Sequence, residues 1–243
     1  MKKTISFLYG IIAYAIFLVA FLYAIGFVGN LIVPKSIDTG TEGNLTRSLL
    51  INALLLSQFA LQHSIMARPA FKRWWTNVIG SVIERSTYVL LSSLSLLLIY
   101  WQWQPMLTPV WKVESAIGVN VLYALYALGW LIVFLSTFMI NHFELFGLKQ
   151  VFESMRNIQS QPQAFRANLF YGIVRHPIML GFLIAFWATP VMTLGHLVFS
   201  ITTTLYIFVA VKFLEERDLL KAHGQTYEDY KKKVPMILPL KIK

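Results

Sequence analysis

Cysteine is absent from this 243-residue chain. Disulfide bonds, thiolate–zinc sites and a cysteine nucleophile are therefore excluded. The sequence also lacks the Gly-x-Gly-x-x-Gly and Gly-x-x-x-x-Gly-Lys patterns, so no Rossmann or P-loop nucleotide site is encoded. No two of the five histidines have the i,i+4 spacing of a helical metal site, and we predict no metal.

Charged residues are scarce, at 13% of the chain, whereas 57% of the residues are hydrophobic. Soluble domains carry about 25% charged residues. Several apolar runs exceed eighteen residues, the length typical of a transmembrane helix. We predict an all-α, multi-pass integral membrane bundle with four spans, a C-terminal helical hairpin and a cytoplasmic C-terminal helix, giving five to six transmembrane helices. The first run is too long for a signal peptide and lacks a cleavage site, so we predict a retained span.

We expect one membrane domain over residues 1–243, with N-terminal spans in 1–140, a cytoplasmic interfacial segment in 141–176 and a hairpin and tail in 177–243. Residues 141–152 favour an interfacial amphipathic helix, and residues 154–166 favour a loop. The fifth span is short for a ~30 Å core, so it is either tilted or part of a hairpin that does not fully cross. The predicted spans are residues 7–33, 49–66, 83–103, 117–140, 178–188 and 194–213.

The net charge of +10 is explained by membrane topology rather than by nucleic-acid binding. If the N-terminus lies inside and the number of crossings is even, 18 of the 21 basic residues fall on the inner side. Cytoplasmic loops of membrane proteins are enriched in Lys and Arg. We therefore predict both termini in the cytoplasm.

Two polar clusters flank the apolar hairpin and are predicted to lie at its cytoplasmic end. Arg175-His176-Pro177 precedes the hairpin, and Glu215-Glu216 follows it. The first cluster is also compatible with an ordinary helix start, because proline is favourable at the first helical position. The acidic pair is harder to explain structurally, because carboxylates at a helix C-terminus oppose the helix dipole. This conflict favours a functional site.

A third group of ionisable residues lies within or at the ends of spans two and three. It comprises His63, Glu84, Arg85 and Tyr88. Ionisable groups in a membrane are costly and are usually functional or paired. The group therefore either lines a pocket between helices or contains a simple Arg85–Glu84 ion pair.

The hairpin and its flanks resemble the isoprenylcysteine carboxyl methyltransferase and phospholipid methyltransferase superfamily of membrane enzymes. The resemblance depends on Arg-His-Pro, the hairpin, Glu-Glu and Gly-x-x-Tyr-x-x-Tyr-x-x-x-Val-Pro. It implies S-adenosylmethionine as methyl donor, without a Rossmann fold. Met179 stands where the superfamily usually has tyrosine, which leaves the role of this position open. The implied cofactor-binding residues are Gln150, Tyr171, Arg175, His176, Pro177, Leu180, Glu215, Glu216, Tyr227 and Tyr230.

Segments along nearly the whole chain are similar to the bacterial methanethiol S-methyltransferases. They include Phe-Ala-Leu-Gln-His-Ser around His63, Glu-Arg-Ser-Thr-Tyr ending at Tyr88 and Asn-His-Phe-Glu-Leu-Phe-Gly-Leu around His142. This similarity implies methylation of methanethiol, a small volatile thiol able to partition into the lipid bilayer, to dimethyl sulfide. It also implies the bacterial inner membrane as the location.

The implied reaction needs a thiolate, because the thiolate is the nucleophilic form. A dry pocket penalises thiolate formation, so a base or hydrogen-bond donor must offset that penalty. The candidates are His63, Tyr88 and His142, and Arg85 or Arg217 is an alternative that stabilises the thiolate as a cation.

Two other functional hypotheses stay open at this point. The first is another acceptor, such as isoprenylcysteine, a phospholipid amine or a longer thiol. The second is a non-catalytic membrane protein, such as a transporter or an assembly factor. Transporters often contain internal repeats and ionisable groups at mid-membrane, and neither is evident here.

Overall fold

Long apolar runs fold into long helices, because only a helix satisfies every backbone polar group within a lipid-facing segment. In the computed structural model, which describes residues 2–159 and 167–240, five helices are long and apolar enough to cross a membrane. The chain is thus an all-α membrane bundle, as predicted. The orientation of its termini and its folding as one domain stay predictions.

The described chain forms these elements in order. The helices of the first part are α1 (Lys2–Gly29), α2 (Leu45–Ala67), α3 (Pro69–Ile79) and α4 (Ser81–Gln102), followed by strand β1 (Pro109–Lys112) and helix α5 (Ala116–Ile140). Two short helices follow, α6 (His142–Leu145) and α7 (Leu148–Arg156). The last part contains α8 (Phe170–Ile173), α9 (Pro177–Trp187), strand β2 (Val191–Thr193), α10 (Leu194–Ala210), a π-helical turn (Val211–Glu215), α11 (Glu216–His223) and α12 (Gln225–Lys233).

The chain divides into two units. Unit 1 contains described residues 2–107 and 141–159, and unit 2 contains 108–140 and 167–240. In unit 1, α4 packs against α1 and α2, and α7 packs against α1 and α4. A Cβ atom on Gly10 would lie 2.5 Å from Val151, so this glycine allows α1 to approach α7 closely. The side chain of Asn52 binds both the N–H and the carbonyl of Gln104 and joins α2 to the end of α4.

In unit 2, α5 and α9 cross at two glycines. A Cβ atom on Gly129 would lie 2.7 Å from the carbonyl oxygen of Gly181, and one on Gly181 would lie 2.6 Å from that of Gly129. Small residues at such crossings let the helix backbones approach closely. Strands β1 and β2 pair in antiparallel orientation, so α9 and β2 together lead the chain from His176 back to the start of α5.

The structure corrects several predicted boundaries. Helix α1 ends at Gly29 rather than at residue 33, because Asn30 adopts a left-handed conformation (φ 55°) and Leu31 N–H donates to the carbonyl of Gly26. The expected amphipathic helix at 141–152 is divided into α6 and α7 at Gly147, whose φ is +86°. Residues 154–156 are helical, whereas 160–166 of the predicted loop lie outside the described residues.

The last span also differs from its prediction. It was expected to end near residue 213, but the helix continues through the π-helical turn to His223. Span five is the eleven-residue α9, too short to qualify as a full span.

Candidate functional site

The predicted cofactor-binding residues of the hairpin come together at the start of α9. Pro177 is the first residue of α9, a position where its missing N–H costs nothing. The two preceding residues are held by the C-terminal tail, residues 234–240. Arg175 N–H donates to Pro235 O at 2.9 Å, and His176 N–H donates to Met236 O at 3.0 Å. The C-terminal tail thereby fixes the backbone from which both side chains project.

Glu216 is the centre of this cluster. Its Oε1 accepts hydrogen bonds from Arg175 Nε at 2.9 Å and from Tyr227 Oη at 2.7 Å, and it lies 2.7 Å from His176 Nε2. Its Oε2 accepts from Arg175 Nη2 at 3.1 Å. All four side chains are buried. A buried carboxylate is tolerated when its charge is paired and its oxygens are hydrogen-bonded, and both conditions are met here.

The Nη1 group of Arg175 binds the end of α12. Its Nη1 donates to the carbonyl oxygens of Lys231, at 3.0 Å, and Val234, at 2.6 Å. The guanidinium thus joins Glu216 to the end of α12. These contacts give Arg175 a structural role, and its predicted contact with a cofactor stays a prediction.

The π-helical turn buries Glu216 and leaves Glu215 partly exposed. At the end of this turn, Glu216 N–H donates to Val211 O, five residues earlier. Glu216 is buried, whereas the Glu215 side chain is 45% exposed with its Oε2 3.5 Å from His176 Nδ1. Both carboxylates therefore contact His176, and Glu215 is the one that an incoming ligand can reach.

The two carboxylates determine the charge of His176. Burial alone would lower its pKa, but hydrogen bonds to Glu215 and Glu216 outweigh burial and raise the pKa to about 9. His176 is therefore a cation at neutral pH. Burial, together with the hydrogen bond to Glu216, raises the pKa of Tyr227, which stays a neutral donor.

The other predicted residues of unit 2 surround this centre. Tyr230 Oη donates to Tyr171 O at 2.5 Å, and burial raises the pKa of Tyr230 to about 12. Burial also raises the pKa of Tyr171. Leu180 and Met179 pack on the apolar cluster of Ile207, Val211 and Ile237. Position 179 thus has an apolar packing role here.

The remaining predicted residues belong to unit 1, where His63 and Tyr88 are in contact. The hydroxyl of Tyr88 lies 3.0 Å from both ring nitrogens of His63. Ser92 Oγ lies 3.3 Å from His63 Nδ1 and donates to Gln62 Oε1 at 3.3 Å. These side chains form a polar group between α2 and α4.

His142 and Gln150 lie elsewhere in unit 1. His142 is buried, its Nε2 lies 2.7 Å from Tyr14 Oη, and burial lowers its pKa. Gln150 Nε2 donates to Glu144 O at 3.1 Å, whereas its buried Oε1 has no hydrogen-bond partner among the described residues.

Several contributors to these sites were not predicted from the sequence. The tail carbonyls that hold Arg175 and His176 have no side-chain signature, and nothing in the sequence marks the π-helical turn. Tyr14, the partner of His142, lies 128 positions away. Ser92 was recognisable, because it follows Tyr88 by one helical turn. Within residues 2–159 and 167–240, no group of three His, Asp or Glu residues is arranged to hold a metal ion.

Comparisons with known proteins give one family and several relatives. A family model described as NnrU protein matches residues 49–240. Methanethiol S-methyltransferase 2 of Bradyrhizobium diazoefficiens is 58% identical over 232 residues, which are 96% of this chain and 89% of that protein. Methanethiol S-methyltransferase of Mycobacterium tuberculosis is 54% identical over 239 residues, 98% of both chains.

A more distant relative is nurim of Mus musculus. It is 31% identical over 193 residues, which are 76% of this chain and 72% of that protein. No solved structure matches the chain significantly.

Proposed function

The chain belongs to the NnrU protein family and, within it, to the methanethiol S-methyltransferases, and from this premise we propose that it transfers a methyl group from S-adenosylmethionine to methanethiol. The acceptor is taken from the names of its relatives. The donor is supported by the buried cluster around Glu216, with the accessible Glu215 beside His176, and this arrangement is the observation that carries the proposal.

The residues of unit 2 fit such a donor. S-Adenosylmethionine carries an ammonium and a sulfonium, which a carboxylate attracts. Glu215 supplies that carboxylate, since its side chain is 45% exposed whereas Glu216 is committed to Arg175, His176 and Tyr227. Pro177, Met179 and Leu180 offer an apolar helix start beside it. The donor supplies an electrophilic methyl group on its sulfonium.

The chain's own residues have two tasks in this reaction. The first is to hold the donor's positive charge at Glu215. The second is to remove the thiol proton, because the thiolate is the nucleophile. His142 and the His63–Tyr88 pair are the candidates for the second task. Because burial lowers the pKa of His142, its imidazole is neutral at physiological pH and able to accept a proton.

The test is direct. Purified protein in detergent or nanodiscs is incubated with S-adenosylmethionine and methanethiol, and headspace dimethyl sulfide is measured. We expect product that depends on both substrates. Binding of S-adenosylmethionine without dimethyl sulfide would overturn the acceptor, and product from isoprenylcysteine or a phospholipid amine would identify the rival acceptors. Failure to bind S-adenosylmethionine would overturn the donor and favour a non-catalytic role.

We further propose that the protein lies in the inner membrane and that both of its termini face the cytoplasm. The basic residues of α12, which include Lys231, Lys232 and Lys233, support this orientation. A reporter active only in the cytoplasm should be active when fused after residue 243. Activity of a periplasm-specific reporter at that position would reverse the assignment.

A further inference from the structure

The polar group between α2 and α4 is a continuous chain of hydrogen bonds. From one end to the other it contains Met66, Gln62, Ser92, His63 and Tyr88, all in unit 1. Both helices have the length and hydropathy of membrane spans. Polar side chains inside such helices are costly and are usually functional or hydrogen-bonded to a neighbouring helix. The directions of these bonds decide which nitrogen of His63 carries a proton.

An ion pair plays no part in this group. The Nε of Arg85 donates to Leu145 O at 2.7 Å, and its guanidinium lies 5.0 Å from the centre of the Tyr88 ring. Within the described parts of the chain, Glu84 forms no salt bridge. The Arg85–Glu84 pair considered from the sequence is therefore not formed.

Met66 sets the direction of the bonds at the first end of the chain. Gln62 Nε2 lies 3.1 Å from Met66 Sδ. A thioether sulfur can only accept a hydrogen bond, so the amide nitrogen of Gln62 faces it. The amide oxygen then faces Ser92, whose Oγ donates to it at 3.3 Å. A serine hydroxyl has one proton, and the bond to Gln62 uses that proton.

The contact between Ser92 and His63 therefore has one direction. Ser92 Oγ lies 3.3 Å from His63 Nδ1 and acts there as an acceptor, because its proton is directed at Gln62. Nδ1 then carries the proton. The Tyr88 hydroxyl lies 3.0 Å from both ring nitrogens, so on its own it favours neither tautomer. With Nδ1 protonated, Nε2 is the nitrogen that accepts from the Tyr88 hydroxyl.

We propose that Gln62 and Ser92 are positioning residues that keep His63 in the Nδ1–H tautomer, so that Nε2 is the nitrogen that takes up the proton of the thiol. The proposal rests on the proposed thiol methylation. In this step the S–H bond breaks and its electron pair stays on sulfur as the thiolate. The proton passes to Tyr88 Oη while the hydroxyl proton of Tyr88 passes to His63 Nε2. The imidazolium keeps its bond to Ser92 and later releases the proton to water.

Nitrogen NMR tests the tautomer without any turnover. The protein is prepared with isotope-labelled histidine in lipid, and the signals of His63 are identified by their loss in His63→Gln. We expect the wild type to carry the proton on Nδ1. In Ser92→Ala, Nδ1–H loses its acceptor, and we expect both tautomers. In Gln62→Leu, the Ser92 hydroxyl is released to donate to Nδ1, so we expect the proton on Nε2. Ser92→Thr, which keeps a hydroxyl, should retain the wild-type tautomer.

Turnover tests the consequence for catalysis. With methanethiol, Ser92→Ala should lose about 3- to 10-fold in kcat, because part of His63 is then protonated on the wrong nitrogen. Its KM should be unchanged, since Ser92 acts through His63 and does not contact the thiol. With 2,2,2-trifluoroethanethiol, a more acidic thiol that supplies its own thiolate, the loss should shrink to less than about twofold.

The matched control is Ser93→Ala. Ser93 is also buried, and its Oγ donates to Val89 O at 2.8 Å within α4, so its loss should leave the His63 signals and both rates unchanged. A wild-type His63 protonated on Nε2, or a Ser92→Ala spectrum equal to that of the wild type, would overturn the proposal. Equal losses of kcat in Ser92→Ala and Ser93→Ala would also overturn it, because they would indicate a packing effect. A wild-type protein with the expected tautomer that methylates neither thiol would overturn the proposed function instead.

Discussion

Replacing Glu216 by glutamine removes the negative charge from the centre of the unit 2 cluster. Arg175 then lies 7% exposed without its counter-charge, and the protonated His176 loses one of its two carboxylates. Breaking a buried ion pair from one side costs about 3–5 kcal/mol. We expect the free energy of unfolding to fall by that amount, since Gln can replace at most part of the hydrogen bonding.

The matched variant is Glu215→Gln, one residue earlier. Its carboxylate is 45% exposed and lies 3.5 Å from His176 Nδ1, so its loss should cost at most about 1 kcal/mol of stability. Glu215→Gln should instead weaken binding of S-adenosylmethionine, because a charge-assisted contact is worth about 1.5–3 kcal/mol, or roughly 10- to 100-fold in affinity. Glu216→Gln is thus expected to lower mainly the stability of the fold, and Glu215→Gln mainly the affinity for S-adenosylmethionine.

Chemical unfolding in mixed micelles measures the first quantity, and titration calorimetry with S-adenosylmethionine measures the second. Calorimetry on Glu216→Gln is carried out only at temperatures where the variant is folded. A Glu216→Gln variant as stable as the wild type would refute the buried cluster. A Glu215→Gln variant with unchanged affinity would refute the assignment of Glu215 to the donor.

Three further predictions concern neighbouring features. The protonated His176 should contribute its full stabilisation below about pH 6.5, and this stabilisation should be lost as the pH rises through about 9. Unfolding of His176→Gln should lack this pH dependence. Tyr227→Phe should lower the free energy of unfolding by about 1–3 kcal/mol, because the hydroxyl bond to Glu216 is lost, and an unchanged value would contradict that bond. Gly181→Ala should cost about 1–3 kcal/mol, since its Cβ would lie 2.6 Å from a backbone oxygen, whereas Gly172→Ala, with 3.7 Å of room, should be neutral.

The sequence was informative about the membrane bundle because hydrophobic length is a property of each segment alone. Five predicted spans correspond to α1, α2, α4, α5 and the helix from Leu194 to His223. The errors lie at helix ends, which depend on single residues. Asn30 ends α1 before residue 33, the predicted end, and the π-helical turn lets the last span continue beyond residue 213.

The candidate site was predicted as a set of residues but not as an arrangement. Arg175, His176 and Glu216 were recognisable from their motifs, yet the motifs did not show that Arg175 binds Glu216 and the end of α12. Nor did they distinguish the buried Glu216 from the accessible Glu215. Both distinctions depend on backbone carbonyls and on a five-residue turn, neither of which has a signature in residue types.

The shortness of α9 gives the C-terminal tail an importance that its sequence does not suggest. Eleven helical residues rise roughly 16 Å, about half of a ~30 Å hydrocarbon core. Extended backbone is tolerated at membrane depth only where protein or water satisfies its polar groups. For Arg175 and His176, the carbonyls of Pro235 and Met236 provide that partner. The tail therefore supplies the backbone partners that the start of this half-length helix needs.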